Sequence, residues 1–288
     1  MSDAWTIRRL LDWTADYLKT NGSDTPRLDA EVLLADVRNC QRIMLYTAYD
    51  EVASDEVRSR FRELVRRRAE GAPVAYLVGH REFFSLDFSV NEHVLVPRPE
   101  TEYVVTTLVD LAKEKNQANL KILDIGTGSG VLAVCAAKHI PTASIVAVDL
   151  SANALDVARK NVDKHQVKDK VELVQSDLFE CLPANAKFDF IVSNPPYIAV
   201  ADPSVDANVA KHEPAVALFA GEDGLDVIRR IIEAAPEYLV AGGSLIMEIG
   251  DSQYDSVAAL IHETGHFAEP STVKDQAEIA RVIVTRRL

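Results

Sequence analysis

From residue 120 onward, short β-branched runs alternate with amphipathic helical stretches, and this alternation constrains the fold more than any other feature of the chain. The runs are KILDIG (121–126), SIVAVDL (144–150), VELVQSD (171–177), FDFIVSN (188–194), GSLIMEIG (243–250) and ARVIVTRR (280–287). Helical spacing covers 130–139, 151–165, 225–240 and 252–265. Such an order predicts a parallel sheet with helices on both faces. Crossovers should be right-handed, and ligands should collect beyond the carboxyl ends of the strands. The expected class is therefore α/β: a doubly wound, mostly parallel sheet.

The first third of the chain has a different character. WTIRRLLDWTADYL (5–18), PRLDAEVLLADVR (26–38) and a third stretch over 55–70 read as helices, which together suggest a small bundle. EFFSLDFSVNEHVLV (82–96) alternates and is rich in Phe and Val, so it reads as a hairpin turning near Asn91. PRPETE (97–102) should open a helix running to about 114. The expected organisation is an N-terminal helical bundle over 1–75, a β-hairpin linker over 76–98 and the α/β domain over 99–288.

Charge excludes some functions. The 288 residues carry 31 basic and 44 acidic side chains, a net charge of -13. That balance disfavours a free duplex-DNA binder, whose affinity comes mostly from cations on phosphate. RSRFRELVRRR (58–68) is the one dense basic run, open to two readings: a solvated helix face with Glu63 as partner, or a contact surface for an acidic or nucleic-acid-bearing partner. No apolar stretch approaches the length of a membrane span, and the N-terminus lacks a signal-peptide layout. Three scattered cysteines (Cys40, Cys135, Cys181) read as reduced thiols. We expect a cytoplasmic monomer with no membrane or direct nucleic-acid partner and no bound metal.

Four consecutive strand ends carry the chemistry. After the first comes LDIGTGSG (123–130), with Asp124, Gly126, Thr127, Gly128, Ser129 and Gly130. Its glycines let a ligand approach the backbone closely. The second end presents Asp149, placed to accept from ribose hydroxyls. The third, QSDLF, presents Asp177 as an acceptor for an adenine amino group, with Leu178 and Phe179 flanking the ring; Asp177 alone could equally cap a helix. The glycine register is G-x-G-x-G rather than G-x-G-x-x-G, and Asp124 would repel a pyrophosphate. An amino group and a sulfonium suit it better, which points to S-adenosylmethionine and away from a nicotinamide-dependent oxidoreductase.

The fourth end is NPPY (194–197). Asn194 and the Pro195 carbonyl can each accept one proton of a planar amino nitrogen, which aims its lone pair. Fixed φ at Pro195 and Pro196 makes that placement rigid. Tyr197 could pack against the planar group. These four residues form the expected substrate site, with Asn194, Pro195 and Tyr197 as its catalytic members, and Asn194 also borders the cofactor.

DIGTGSG, VDLS, SD and NPPYI resemble the class I S-adenosylmethionine-dependent methyltransferases. PRLDAE (26–31), YLVGHREF (76–83), VLVPRPETE (94–102), HEPAVALFAGEDGL (212–225) and MEIG (247–250) resemble the peptide chain release factor glutamine N5-methyltransferases, in the family's order. That resemblance implies methyl transfer from S-adenosylmethionine to the glutamine side-chain nitrogen in the Gly-Gly-Gln loop of a release factor. The N-terminal bundle would grip that partner. One departure is DQAEIARVIV (275–284), which replaces a Gly- and Arg-containing segment. NPPY alone would also fit an adenine-N6 DNA or RNA methyltransferase, and a non-catalytic module keeping the fold is a third reading. Arg98, Glu100 and Glu102 either line the crevice mouth or cap a helix. His212 and Glu213 lie on a 199–224 loop long enough to be a lid.

Overall fold

A computed structural model describes residues 4–288; the first three residues of the 1–75 assignment lie outside the described residues. The chain divides into two compact units, one running through His80 and including Asp206–His212, the other holding Arg81–Val205 and Glu213–Leu288.

The first unit contains α1 (Ile7–Thr20), α2 (Pro26–Val37), α3 (Arg42–Thr47), α4 (Asp55–Ala69) and α5 (Val74–Val78). Its core is built from Leu11 and Leu18 of α1, Leu33 and Leu34 of α2, Leu45 of α3, and Phe61 and Val65 of α4. Thr6 and Ser54 cap α1 and α4 by accepting from Arg9 N and Val57 N. The short α3 and α5 went unread, being under two turns of periodic signal. On the basic α4, Arg66 pairs with Glu63 at 2.7 Å and Glu70 at 2.6 Å, and Arg68 reaches buried Asp29 at 2.7 Å. Several of these arginines are thus engaged within the unit.

The hairpin forms earlier in the chain than expected. β1 (His80–Phe83) pairs with β2 (Leu86–Ser89), and the turn lies at Phe84–Ser85 rather than Asn91. Both turn residues have positive φ, 50° and 59°. That is the geometry of a tight type I′ turn, usually built from Asn and Gly, so these residues gave no signal. Asn91 does turn the chain, its Oδ1 accepting from His93 N at 3.0 Å, but no strand returns. Val96 N donates instead to the Glu213 side chain, and Pro97 and Pro99 have no N–H, so no ladder can form there.

The second unit follows the expected α/β pattern. A 3₁₀ turn (Pro99–Thr101) leads into α6 (Glu102–Lys115), then β3 (Lys121–Ile125), α7 (Val131–His139), β4 (Ser144–Asp149), α8 (Ala152–Lys164), β5 (Val171–Gln175) and β6 (Phe188–Ser193). After α9 (Ala207–His212), which falls in the first unit, come α10 (Ala215–Leu218), α11 (Asp226–Tyr238), β7 (Leu239–Glu248), α12 (Tyr254–Thr264), β8 (Ser271–Lys274) and β9 (Ala280–Arg286). The sheet order is β5-β4-β3-β6-β7-β9-β8, and only β9 is reversed, running antiparallel to both its neighbours β7 and β8. β8, an edge strand with no buried residue, lacks the apolar run that would have marked it.

Successive strand residues point to opposite faces, and two cores result. Ile122, Ala147, Phe190, Val192 and Ile246 pack under α6 and α7. Leu123, Ile125, Val148, Ile191, Leu245 and Met247 pack under α11 and α12. The central β6 is buried at every position, and its Asp189 is satisfied by Lys115 and by Lys121 N. Among the described residues no helix is long and apolar enough to cross a membrane.

Candidate functional site

The sheet reverses its winding direction between β3 and β6, the position where open α/β sheets form a ligand crevice. Ile125 lies opposite Ser193 in that pair, and Ser193 Oγ donates to Ile125 O at 2.8 Å. The register therefore sets Gly126 beside Asn194. One cavity opens there, lined by Gly126, Thr127, Gly128 and Ser129 after β3, Asp149 after β4, Asp177 and Leu178 after β5, and Asn194, Pro195 and Pro196 after β6.

The glycine loop is shaped from below. Gly128 has φ 56°, and its N–H donates to Asp149 Oδ2 at 2.8 Å. Asp149 Oδ1 accepts from Ser151 N at 2.9 Å, which leaves lone pairs on the carboxylate for a ligand. Burial raises the Asp149 pKa against the pull of those two N–H groups. Asp124 differs from expectation: it is fully buried and does not line the cavity. Its Oδ2 accepts from Thr127 Oγ1 at 2.6 Å and Ala133 N at 3.1 Å, while Oδ1 finds no partner. Burial pushes its pKa up to about 7, and nearby Asp149 adds to the rise. Gly130 also stays outside the cavity lining; a Cβ there would come within 3.3 Å of Ala158 Cβ, so this glycine serves close packing of α7 on α8.

Sequence reasoning missed Asn161. This fully buried residue of α8 donates to Ser129 O at 2.8 Å and Ser89 O at 2.9 Å, and accepts from Ser89 N at 2.7 Å. It ties the end of β2 to the glycine loop. A signal existed: Asn161 falls on the apolar helical face of Ala154 and Ala158, where a polar residue needs partners.

Two further expectations are corrected. Phe179 stacks on Tyr238 with centroids 4.7 Å apart and belongs to the core under α11, outside the cavity lining; Leu178, the other residue expected at the ring, has φ 49° and lines the cavity. Tyr197 is turned away from the cavity, its hydroxyl donating to Glu248 Oε1 at 3.2 Å. The wall beside the prolines comes from Pro214, Val216 and Ala217. Asp177 pairs with Arg230 of α11 at 3.0 Å.

Asn194 Nδ2 donates to Thr101 Oγ1 at 3.0 Å, so its Oδ1 is the end left to accept. Gln253 Nε2 donates to Tyr197 O at 2.9 Å and helps fix the backbone after the prolines. The flanking charged residues, left open by the sequence, take positions. Arg98 pairs with Glu213 at 2.6 Å, Glu102 Oε1 accepts from Phe84 N at 2.8 Å, and His212 Nε2 meets Glu70 O at 3.3 Å.

The cavity chemistry fits S-adenosylmethionine better than a dinucleotide. Arg230 is the one Lys or Arg among the described lining residues, and Asp177 neutralises it. Among the described lining residues no unpaired Lys or Arg faces the loop to meet a pyrophosphate. The remaining lone pairs of Asp149 suit a ligand carrying hydroxyl donors.

Residues 9–79 match the PrmC N-terminal domain, and residues 103–213 match the methyltransferase small domain. The release factor glutamine methyltransferase of Rhodopirellula baltica is 46% identical over 97% of this chain and 95% of its own. That of Geobacter sulfurreducens is 41% identical over 98% and 96%. A methyltransferase from Pyrococcus furiosus shares the fold, with TM-score 0.53 at 18% identity over 80% of this chain and 98% of its own.

Proposed function

We propose that this chain, which belongs to the release factor glutamine methyltransferase family, transfers a methyl group from S-adenosylmethionine to the glutamine side-chain nitrogen in the Gly-Gly-Gln loop of peptide chain release factors. The observation that carries the reading is the β3–β6 register, which brings the glycine loop and Asn194-Pro195 to one cavity.

Gly126, Thr127, Gly128 and Ser129 hold the cofactor's amino acid end by backbone contact, Asp149 accepts from the ribose, and Asp177 and Leu178 border the adenine. When bound, S-adenosylmethionine supplies an electrophilic methyl group on a sulfonium. Asn194 Oδ1 and the Pro195 carbonyl each accept one proton of the target amide. An amide nitrogen is a poor nucleophile because its lone pair is delocalised into the carbonyl. Two fixed acceptors favour the geometry in which that lone pair leaves conjugation, and positioning of this kind is worth several kcal/mol, on the order of 7–11 in favourable models. The Tyr197 hydroxyl, anchored on Glu248, holds the backbone that carries these acceptors. One of the two amide protons is released when the methyl group is transferred; Asn194 Oδ1 and the Pro195 carbonyl orient the nitrogen but are too weakly basic to keep that proton, which passes to solvent water.

The sequence alternative is an adenine-N6 nucleic-acid methyltransferase. A net charge of -13 weighs against it. Tritiated methyl transfer from S-adenosylmethionine, with release factor, DNA and RNA offered in parallel, tests the reading. Label should appear on the release factor, and label on either nucleic acid alone would overturn it.

A further inference from the structure

The two acceptors for the target amide sit on a stretch of backbone with few soft torsions. Pro195 and Pro196 each have φ fixed by the ring, and a residue that precedes proline is confined to extended backbone, which restricts Asn194 and Pro195 as well. Asn194–Pro196 is therefore a short stiff arm, and an arm held at one end pivots. Its first end is fixed by the sheet, where Ser193 pairs with Ile125 of β3 and Met247 of β7. Its second end is held by a side chain that lies outside the cavity lining, Gln253.

Gln253 stands immediately before α12. Its backbone is anchored twice: the N–H donates to Gly250 O at 3.1 Å, and the carbonyl accepts from Val257 N at 2.9 Å. Its side-chain Oε1 accepts from Gly250 N at 2.9 Å. With Oε1 so engaged, Nε2 donates to Tyr197 O at 2.9 Å and lies 3.5 Å from Gly224 O. A carboxamide nitrogen has two protons, one for each carbonyl. Those carbonyls belong to stretches that already touch, since a Cβ on Gly224, at φ 75°, would collide with Tyr197 O. Just beyond, Ile198 N donates to Leu218 O at 3.0 Å and Ile198 O accepts from Ala220 N at 2.9 Å. The end of the arm is thus tied to α10, whose Val216 and Ala217 wall the cavity, and Gln253 fastens the arm to the turn after β7.

We propose that Gln253 is a positioning residue for methyl transfer: by holding the Tyr197 carbonyl it sets the far end of the arm, and with it the direction in which the Pro195 carbonyl meets the target nitrogen. The inference rests on reading that Pro195 carbonyl as an acceptor for the target amide. An amide suits the place because it accepts at one atom, from Gly250 N, and donates at the other, to Tyr197 O. A carboxylate keeps the first contact and repels the carbonyls at the second. A protonated carboxyl keeps the first and can donate to one carbonyl. An apolar chain of equal length fills the space and does neither. Without the donor the arm pivots about Ser193, and the Pro195 carbonyl leaves its line to the nitrogen.

The test is steady-state kinetics with an intact release factor on wild type, Gln253→Met and Gln253→Glu, each at pH 8 and pH 6. At pH 8 both variants should lower kcat about tenfold, up to the roughly hundredfold cost of a misplacement of about 1 Å. KM for the release factor and the Kd for S-adenosylmethionine should stay unchanged, because Gln253 touches neither ligand's cavity. Partial burial and two facing carbonyl oxygens favour the neutral form of an introduced carboxyl. The kcat of Gln253→Glu, as a fraction of wild type at the same pH, should therefore rise severalfold from pH 8 to pH 6, while the Gln253→Met fraction stays flat. An unchanged kcat in Gln253→Met, a loss carried by KM or Kd instead of kcat, or a flat Gln253→Glu fraction would overturn the inference. If Gln253→Met fails to fold, the Gln253→Glu fraction decides. A wild type that leaves the glutamine unmethylated sinks the functional reading itself, whereas an active wild type with an unaffected Gln253→Met sinks only this inference.

Discussion

Arg98 Nη2 lies 2.6 Å from Glu213 Oε1, and the Glu213 side chain is 1% exposed. The same carboxylate accepts from Val96 N at 3.0 Å. This pair joins the segment before α6 to the start of α10, whose Val216 and Ala217 line the cavity with Pro214. Removing Arg98 leaves the buried Glu213 carboxylate with the Val96 N–H as its remaining partner, and because the arginine is itself a third exposed the cost falls below that of a fully buried pair. Arg98→Ala should lower stability by about 1–2 kcal/mol in urea denaturation. A loss within experimental error would show that the Val96 N–H alone satisfies the carboxylate.

Asn161 holds the glycine loop from behind through Ser129 O, and β2 through both backbone groups of Ser89. Asn161→Ala orphans the buried Ser129 O, worth about 1–3 kcal/mol when left unsatisfied, and removes a partner from two part-buried backbone groups of Ser89. The variant should lose stability and bind S-adenosylmethionine more weakly, and isothermal titration would read the second effect. Full-strength binding by a folded Asn161→Ala protein would show that the loop keeps its shape unaided.

Asp124 gives a pH dependence with a definite sign. Burial raises its folded pKa to about 7, above the ordinary carboxylate value of 3.8. The neutral carboxyl is therefore favoured in the folded chain. Stability from this group is fully present below about pH 4 and is lost as pH rises toward 7. Asp124→Asn cannot ionise, so its ligand-free stability should fall less than that of wild type between pH 5 and pH 8. The difference should be on the order of 2–3 kcal/mol. Parallel curves for the two proteins would contradict the assignment.

Glu278 holds a left-handed backbone at φ 61° in the segment that departs from the family pattern. That conformation costs a side-chain-bearing residue roughly 1–2 kcal/mol, against about 0.5–1 for the extra freedom of glycine when unfolded. Its ion pair with Lys274, 3.5 Å long and exposed, contributes little. Glu278→Gly should raise stability by about 0.5 kcal/mol, seen as a higher urea midpoint. A lower midpoint would mean the side chain contributes more than its exposure suggests.

These residues also show what the sequence could reveal. The strand–helix alternation was enough for the parallel order of the central strands, because buried strands need unbroken apolar runs that are visible as such. The glycine loop, Asp149 and Asn194 were legible because their chemistry sits at strand ends, where topology alone brings them together. Phe179 and Tyr197 lie outside the cavity lining for a shared reason. Each follows a correctly read strand end, but which way an aromatic ring turns depends on partners distant in sequence, here Tyr238 and Glu248. Asn161 and Thr101 escaped because they act on the site through hydrogen bonds spanning 32 and 93 residues. The hairpin turn was misplaced because Phe84 and Ser85 adopt a backbone that glycine usually supplies.

The most direct test is a peptide mass measurement on a release factor incubated with S-adenosylmethionine and either wild type or Asn194→Ala. With wild type, one added methyl group should map to the glutamine side chain of the Gly-Gly-Gln loop, and Asn194→Ala, still folded, should add it far more slowly. No methyl on that glutamine with wild type, or undiminished transfer by Asn194→Ala, would contradict the account.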